Sequence, residues 1–107
     1  MDNLKLKENP TLKDYQEYVH MLEIQRGFID QNVIIKSLLL GEEMGELFKA
    51  IRKAMNIKTD VNANINPVKE EIADILIYLC SIANRFDIDI EEAFREKEEI
   101  NKKRQWI

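Results

Sequence analysis

Two long runs of this chain, Val33 to Met55 and Pro67 to Arg85, space their apolar side chains three and four residues apart. That is the period of an α-helix, and neither run offers a strand's alternation. In the first, Leu40, Met44, Leu47, Phe48, Ile51 and Met55 form a stripe. In the second, Ile72, Ile75, Leu76, Leu79, Ile82 and Ala83 do so, widened by Ile77 and Cys80. A shorter run, Leu12 to Arg26, carries Tyr15, Val19, Leu22 and Arg26 at the same spacing. A fourth follows Asp89, with Ile90, Ala93, Phe94, Lys97 and Ile100. Only three glycines and two prolines interrupt 107 residues. The expectation is an all-α domain of four helices.

The boundaries have local causes. Thr11 is placed to cap the first helix, with Asp14 completing a capping box, and Gly27 to stop it. Residues 56–66 hold four asparagines and read as a loop. Pro67 suits the first position of the third helix, with Asn66 as its cap. Asp87-Ile88-Asp89 is a short connection, and Asp89 caps the fourth helix with Glu92 three residues on. Residues 1–10 form a polar lead, and residues 11–107 are expected to form a single helical domain. One domain of this size has a modest core.

Apolar residues make up 45% of the chain and charged residues 34%, a balance that belongs to globular proteins and not to disordered ones. The formal net charge is −4. Direct nucleic-acid binding, which relies on Lys and Arg neutralising phosphates, is therefore not expected. No apolar stretch reaches the ~18 residues of a membrane span. The first residues lack the apolar core of a signal peptide, so a cytoplasmic location is expected. Cys80 is the single cysteine and sits in an apolar run, as a small core residue.

Inside the two long runs lie acidic clusters, Glu42-Glu43-Met44-Gly45-Glu46 and Glu70-Glu71-Ile72-Ala73-Asp74. Carboxylates three residues apart on a helix point the same way. At ~100° per residue, Glu43 falls on the flank of its stripe, Glu46 further round and Glu42 nearly opposite the core. Glu71 falls at the edge of the third helix's stripe, and Asp74 projects further out. Two such pairs facing each other would make a cage of oxygen ligands, which suits Mg²⁺ or Mn²⁺ better than zinc or iron. Without a cation, four gathered carboxylates would repel and raise one another's pKa values. A carboxylate-bridged di-iron bundle needs two Glu-x-x-His pairs. The lone histidine, His20, rules that out and reads as structural or surface.

Glu42-Glu43-Met44-Gly45-Glu46, 24 intervening residues, then Glu71-Ile72-Ala73-Asp74 is an EExxE…ExxD pattern. It resembles the signature of the MazG-like nucleotide pyrophosphohydrolases, members of the all-α NTP pyrophosphatase superfamily. The flanking segments are similar too: Gln25-Arg26-Gly27-Phe28, Leu39 to Leu47, Ala83 to Phe94, and Lys97 to Trp106 with its K-x3-N-x2-R-x-W pattern. The likeness covers about residues 11–106. It implies a four-helix bundle completed by homodimerisation, as a dimer or dimer of dimers. It implies that Glu43, Glu46, Glu71 and Asp74 hold Mg²⁺, with Mn²⁺ as the substitute. Glu46 or Glu42 is the candidate for orienting or deprotonating a water, and Glu42 alternatively bridges a further ion or is simply exposed. Glu70 matches no motif position and reads as a surface acid.

The phosphate-binding candidates are two or three cations and an amide. Lys97, Asn101 and Arg104 share one face of the fourth helix, a set that suits a triphosphate or, alternatively, complements the helix dipole. Lys36 lies two turns before Glu43 and either reaches a phosphate or forms a structural ion pair. Trp106 and Phe28 either stack on a base or anchor packing. Tyr78, one turn after Asp74, either lines the cleft or packs in the core.

The reading is a Mg²⁺-dependent hydrolase that converts a nucleoside triphosphate and water to the monophosphate and pyrophosphate, in control or clearance of nucleotide pools. Two alternatives stay open. One is a non-catalytic helical dimerisation module. The other is a hydrolase of a different phosphorylated, nucleotide-like substrate.

Overall fold

The computed structural model describes residues 3–106. The ends of the expected lead and domain, Met1, Asp2 and Ile107, lie outside the described residues. Four helices account for the secondary structure: α1 (Leu12–Arg26), α2 (Val33–Ala54), α3 (Val68–Arg85) and α4 (Ile90–Lys102). Among the described residues there is no strand, so the all-α expectation holds. The chain gathers into two compact units. One takes the residues up to Asp30 together with those from Ala83 onward, and the other is Gln31–Ile82.

In the first unit, α1 begins with the expected capping box. The Thr11 N–H donates to Asp14 Oδ2 at 2.9 Å and the Asp14 N–H to Thr11 Oγ1 at 3.2 Å. The hydrogen bond from the Thr11 backbone, with Lys7 beside it, holds the Asp14 carboxyl below its ordinary pKa. Gly27 closes the helix at φ 77°, in the left-handed region where a side chain is strained. Val19 and Leu22 are buried as the periodicity predicts, joined by Gln16 and Glu23 in place of Tyr15 and Arg26.

Those two polar residues tie α1 to distant chain. Gln16 Nε2 donates to Asn84 Oδ1 at 3.1 Å and to the Ile88 carbonyl at 2.7 Å. Its Oε1 accepts from the Ile90 N–H at 2.9 Å, and Asn84 Nδ2 donates to the Gln16 carbonyl at 2.9 Å. Both ends of the buried amide are thus satisfied at the corner between α3 and α4. Arg85 donates to Glu23 through both terminal nitrogens, at 3.0 and 2.7 Å. One of them also reaches the Phe28 carbonyl at 3.2 Å. Asp89 caps α4 by accepting from the Glu92 N–H at 3.0 Å. No α4 residue is buried.

In the second unit, Asn32 caps α2 by accepting from the Ile35 N–H at 2.9 Å. The buried face of α2 is not the expected one. Phe48 and Met55 are 58% and 68% exposed, and Met44 and Ile51 are also exposed. The helix instead buries Lys36 and Ala50, with Glu43 half-buried between them. Apolar residues surround the first half of α2, so the period alone does not choose a face. In α3 the rotation is similar, with Ile72 and Leu79 exposed and Glu71 and Cys80 buried. Burial pushes the Cys80 thiol above its ordinary pKa, as expected of a core residue. Between the helices, Asp60 forms a turn by accepting from the Asn62 N–H at 2.9 Å. Helix α3 starts one residue later than expected, and the Pro67 carbonyl before it accepts from the Glu70 and Glu71 N–H groups at 3.1 and 3.4 Å.

Glu23 has a side chain only 3% exposed, so removing the guanidinium takes two charge-assisted hydrogen bonds from a buried carboxylate. Arg85→Met should destabilise the protein by about 3 kcal/mol. The check is a lowered urea midpoint with an unchanged slope.

Candidate metal and phosphate site

Within the second unit, α2 brings Glu43 against Glu71 and Asp74 of α3. One carboxylate oxygen from each lies within 4.8 Å of the other two. Ligand oxygens around a cation at about 2.1 Å are themselves roughly 3 to 4 Å apart, so one ion fits this spacing with little adjustment. The donor set contains only carboxylates, the ligands a hard divalent cation prefers.

Glu71 is the deepest member, 1% exposed. Its Oε2 is buried and accepts no hydrogen bond. A buried carboxylate oxygen without a donor is costly unless a cation sits against it. The crowding shows in the titration of its neighbours. The Glu43 pKa is raised to about 7, first by a hydrogen bond with Glu71 that only a protonated carboxyl can make. Burial follows, then the charges of Asp74, Glu71 and Glu46. Burial, with the charges of Glu71 and Glu70, raises the Asp74 carboxyl. Glu70, read from sequence as a surface acid, therefore still acts on the cluster electrostatically.

Glu46 is not among the three gathered ligands. It pairs with Lys49 at 3.7 Å, and its side chain is 40% exposed. Glu42 is exposed. Both lie close enough for their charge to be felt, Glu46 by Glu43 and Glu42 by the Tyr78 phenol. Burial, then Glu43, Asp74 and Glu42, pushes that phenol above its ordinary pKa. Lys36 is 4% exposed, with its ammonium 5.8 Å from the Tyr78 ring centroid. Nothing in the local pattern announces this pairing, since its halves lie on different helices.

The phosphate candidates of α4 belong to the first unit. Lys97 and Arg104 are exposed and Asn101 is half-buried, with a buried Oδ1 that has no donor. Arg104 stacks on Trp106, its guanidinium carbon 4.6 Å from the ring centroid. Phe28 is exposed, and its carbonyl is held by Arg85. His20 is exposed and lines an open cavity of about 600 Å³ with Lys13, Glu17 and Asp87.

Residues 32–105 match the family described as the MazG nucleotide pyrophosphohydrolase domain. No curated protein matches the sequence.

The cluster makes a signed prediction. Glu43 binds its proton more tightly folded than unfolded, so the metal-free protein loses stability as pH rises from about 4.5 through about 7. A divalent cation should reverse this, raising the melting temperature more at pH 7.5 than at pH 5.5. Glu71→Gln should stabilise the metal-free protein at pH 7.5 by relieving repulsion, while abolishing the metal-induced rise. Thermal melts with and without Mg²⁺ check both signs.

Proposed function

Because the chain belongs to the MazG nucleotide pyrophosphohydrolase family, we propose that it converts a nucleoside triphosphate and water to the monophosphate and pyrophosphate with Mg²⁺ bound. Mn²⁺ would serve in its place. The observation that carries this reading is the buried Glu71 carboxylate, short of a donor and gathered with Glu43 and Asp74. These three would hold the cation, joined by Glu46 after it leaves Lys49. When bound, the ion neutralises charge on the phosphate oxygens and on the departing pyrophosphate.

The remaining work falls to the side chains. Water attacks the α-phosphorus, the bond to the α–β bridging oxygen breaks, and pyrophosphate leaves with the electron pair. Glu46 or Glu42, both accessible to solvent, orients that water and accepts its proton. Lys97, Asn101 and Arg104 hold phosphate oxygens by donating N–H bonds, Asn101 through its Nδ2. Trp106 offers a ring to the nucleoside, with Arg104 already stacked on it. Lys36, as a buried side chain, does not reach phosphate in this reading.

The chain is proposed to act as a homodimer or dimer of dimers. The exposure of Phe48, Met55, Phe94 and Ile100 supports this, since so much apolar surface calls for cover. One protomer's α4 would then serve a neighbour's carboxylates. No helix is long and apolar enough to cross a membrane. The proposed setting is the cytoplasm and the proposed role the clearance of unwanted nucleotides.

The test is pyrophosphate release over standard and modified nucleoside triphosphates with Mg²⁺. Glu71→Gln and Glu43→Gln should each cut turnover about a hundredfold or more, since even outer partners of a metal site cost 10–100-fold. Lys97→Met should raise KM. If no substrate turns over with metal, or the carboxylate variants match the parent, the chain is a helical interaction module instead.

A further inference from the structure

Two of the contacts between α2 and α3 stand as rungs. In one, Glu43 of α2 meets Glu71 of α3. In the other, Lys36 of α2 meets Tyr78 of α3. Lys36 stands seven residues before Glu43, and Tyr78 seven residues after Glu71. Equal steps in opposite directions mean that the helices run antiparallel here. The rungs are two turns apart, about 10 Å along the axis.

The rungs have opposite electrostatic character. At the carboxylate rung three acidic side chains gather within 4.8 Å, and wherever they are ionised together their like charges push α2 and α3 apart. At the other, a buried ammonium lies against an aromatic face at 5.8 Å, within the range of cation–π attraction. Burial strengthens that attraction, and Lys36 is 4% exposed. An attractive contact two turns from a repulsive one limits how far the helices part before a cation arrives.

We propose that Lys36 is a positioning residue, whose ammonium against the Tyr78 ring pins α2 to α3 and presets the spacing at which Glu43, Glu71 and Asp74 take a divalent cation. This rests on the reading of those carboxylates as the metal site. It assigns Lys36 a task distinct from phosphate binding. The ring of Tyr78 is what the pin uses, so its hydroxyl is dispensable for metal affinity.

The test is Mn²⁺ binding to the nucleotide-free protein at pH 7.5, followed by electron paramagnetic resonance. Lys36→Met and Tyr78→Leu should each weaken Mn²⁺ binding about tenfold, the scale of a lost outer partner. Lys36→Arg and Tyr78→Phe, which keep the cation and the ring, should stay within about twofold of the parent. The double variant Lys36→Met with Tyr78→Leu should lose less than the product of the two single losses, because both remove the shared contact. Unchanged affinity in Lys36→Met and Tyr78→Leu overturns the proposal, as do losses that multiply in the double variant. Should Lys36→Met fail to fold by circular dichroism, the contrast between Tyr78→Leu and Tyr78→Phe decides the matter, equal affinities counting against the pin. A parent protein that binds no Mn²⁺ removes the metal site itself, whereas a binding parent with unaffected variants removes only the pin.

Discussion

Mutual repulsion among Glu43, Glu71 and Asp74 is the constraint around which the second unit is organised. Nothing in ordinary packing gathers three carboxylates within 4.8 Å and buries one of them almost completely. Such a cluster persists only if the surrounding structure supplies the energy or if a cation removes the cost. The half-protonated state of Glu43 near neutral pH is the metal-free chain's way of tolerating the arrangement. Under the proposed metal binding, a cation would complete the charge balance of the site.

The carboxylate cluster lies on the side of α2 that turns inward. By hydrophobicity alone, the stripe ending in Phe48, Ile51 and Met55 would face the core. The structure turns the helix so that Lys36, Glu43 and Ala50 are covered, and the apolar stripe is left outside. Under the proposed homodimer, a second copy would cover that stripe.

What could be read from sequence divides by range. Thr11, Gly27 and Asp89 were legible because a cap depends on residues three or four apart. The pairing of Glu43 with Glu71 and Asp74 was legible because the two clusters repeat one spacing inside apolar runs. The rotation of α2 was not, since Val33, Ile34, Ile35, Leu38, Leu39 and Leu40 offer several equivalent faces. Nor were the partners of Gln16 and Glu23, which lie some sixty to seventy residues away and carry no local mark.

That separation bears on how the chain is made. The bonds from Gln16 to Asn84, Ile88 and Ile90 span 68, 72 and 74 residues, and everything between Gln31 and Ile82 lies inside the loop they close. During synthesis α1 emerges well before these partners, which follow it by 68 to 74 residues. The interior segment carries its own contacts and can collapse while α1 waits. Pairing α1 with these residues closes a loop of some seventy residues, whose entropic cost the hydrogen bonds must offset.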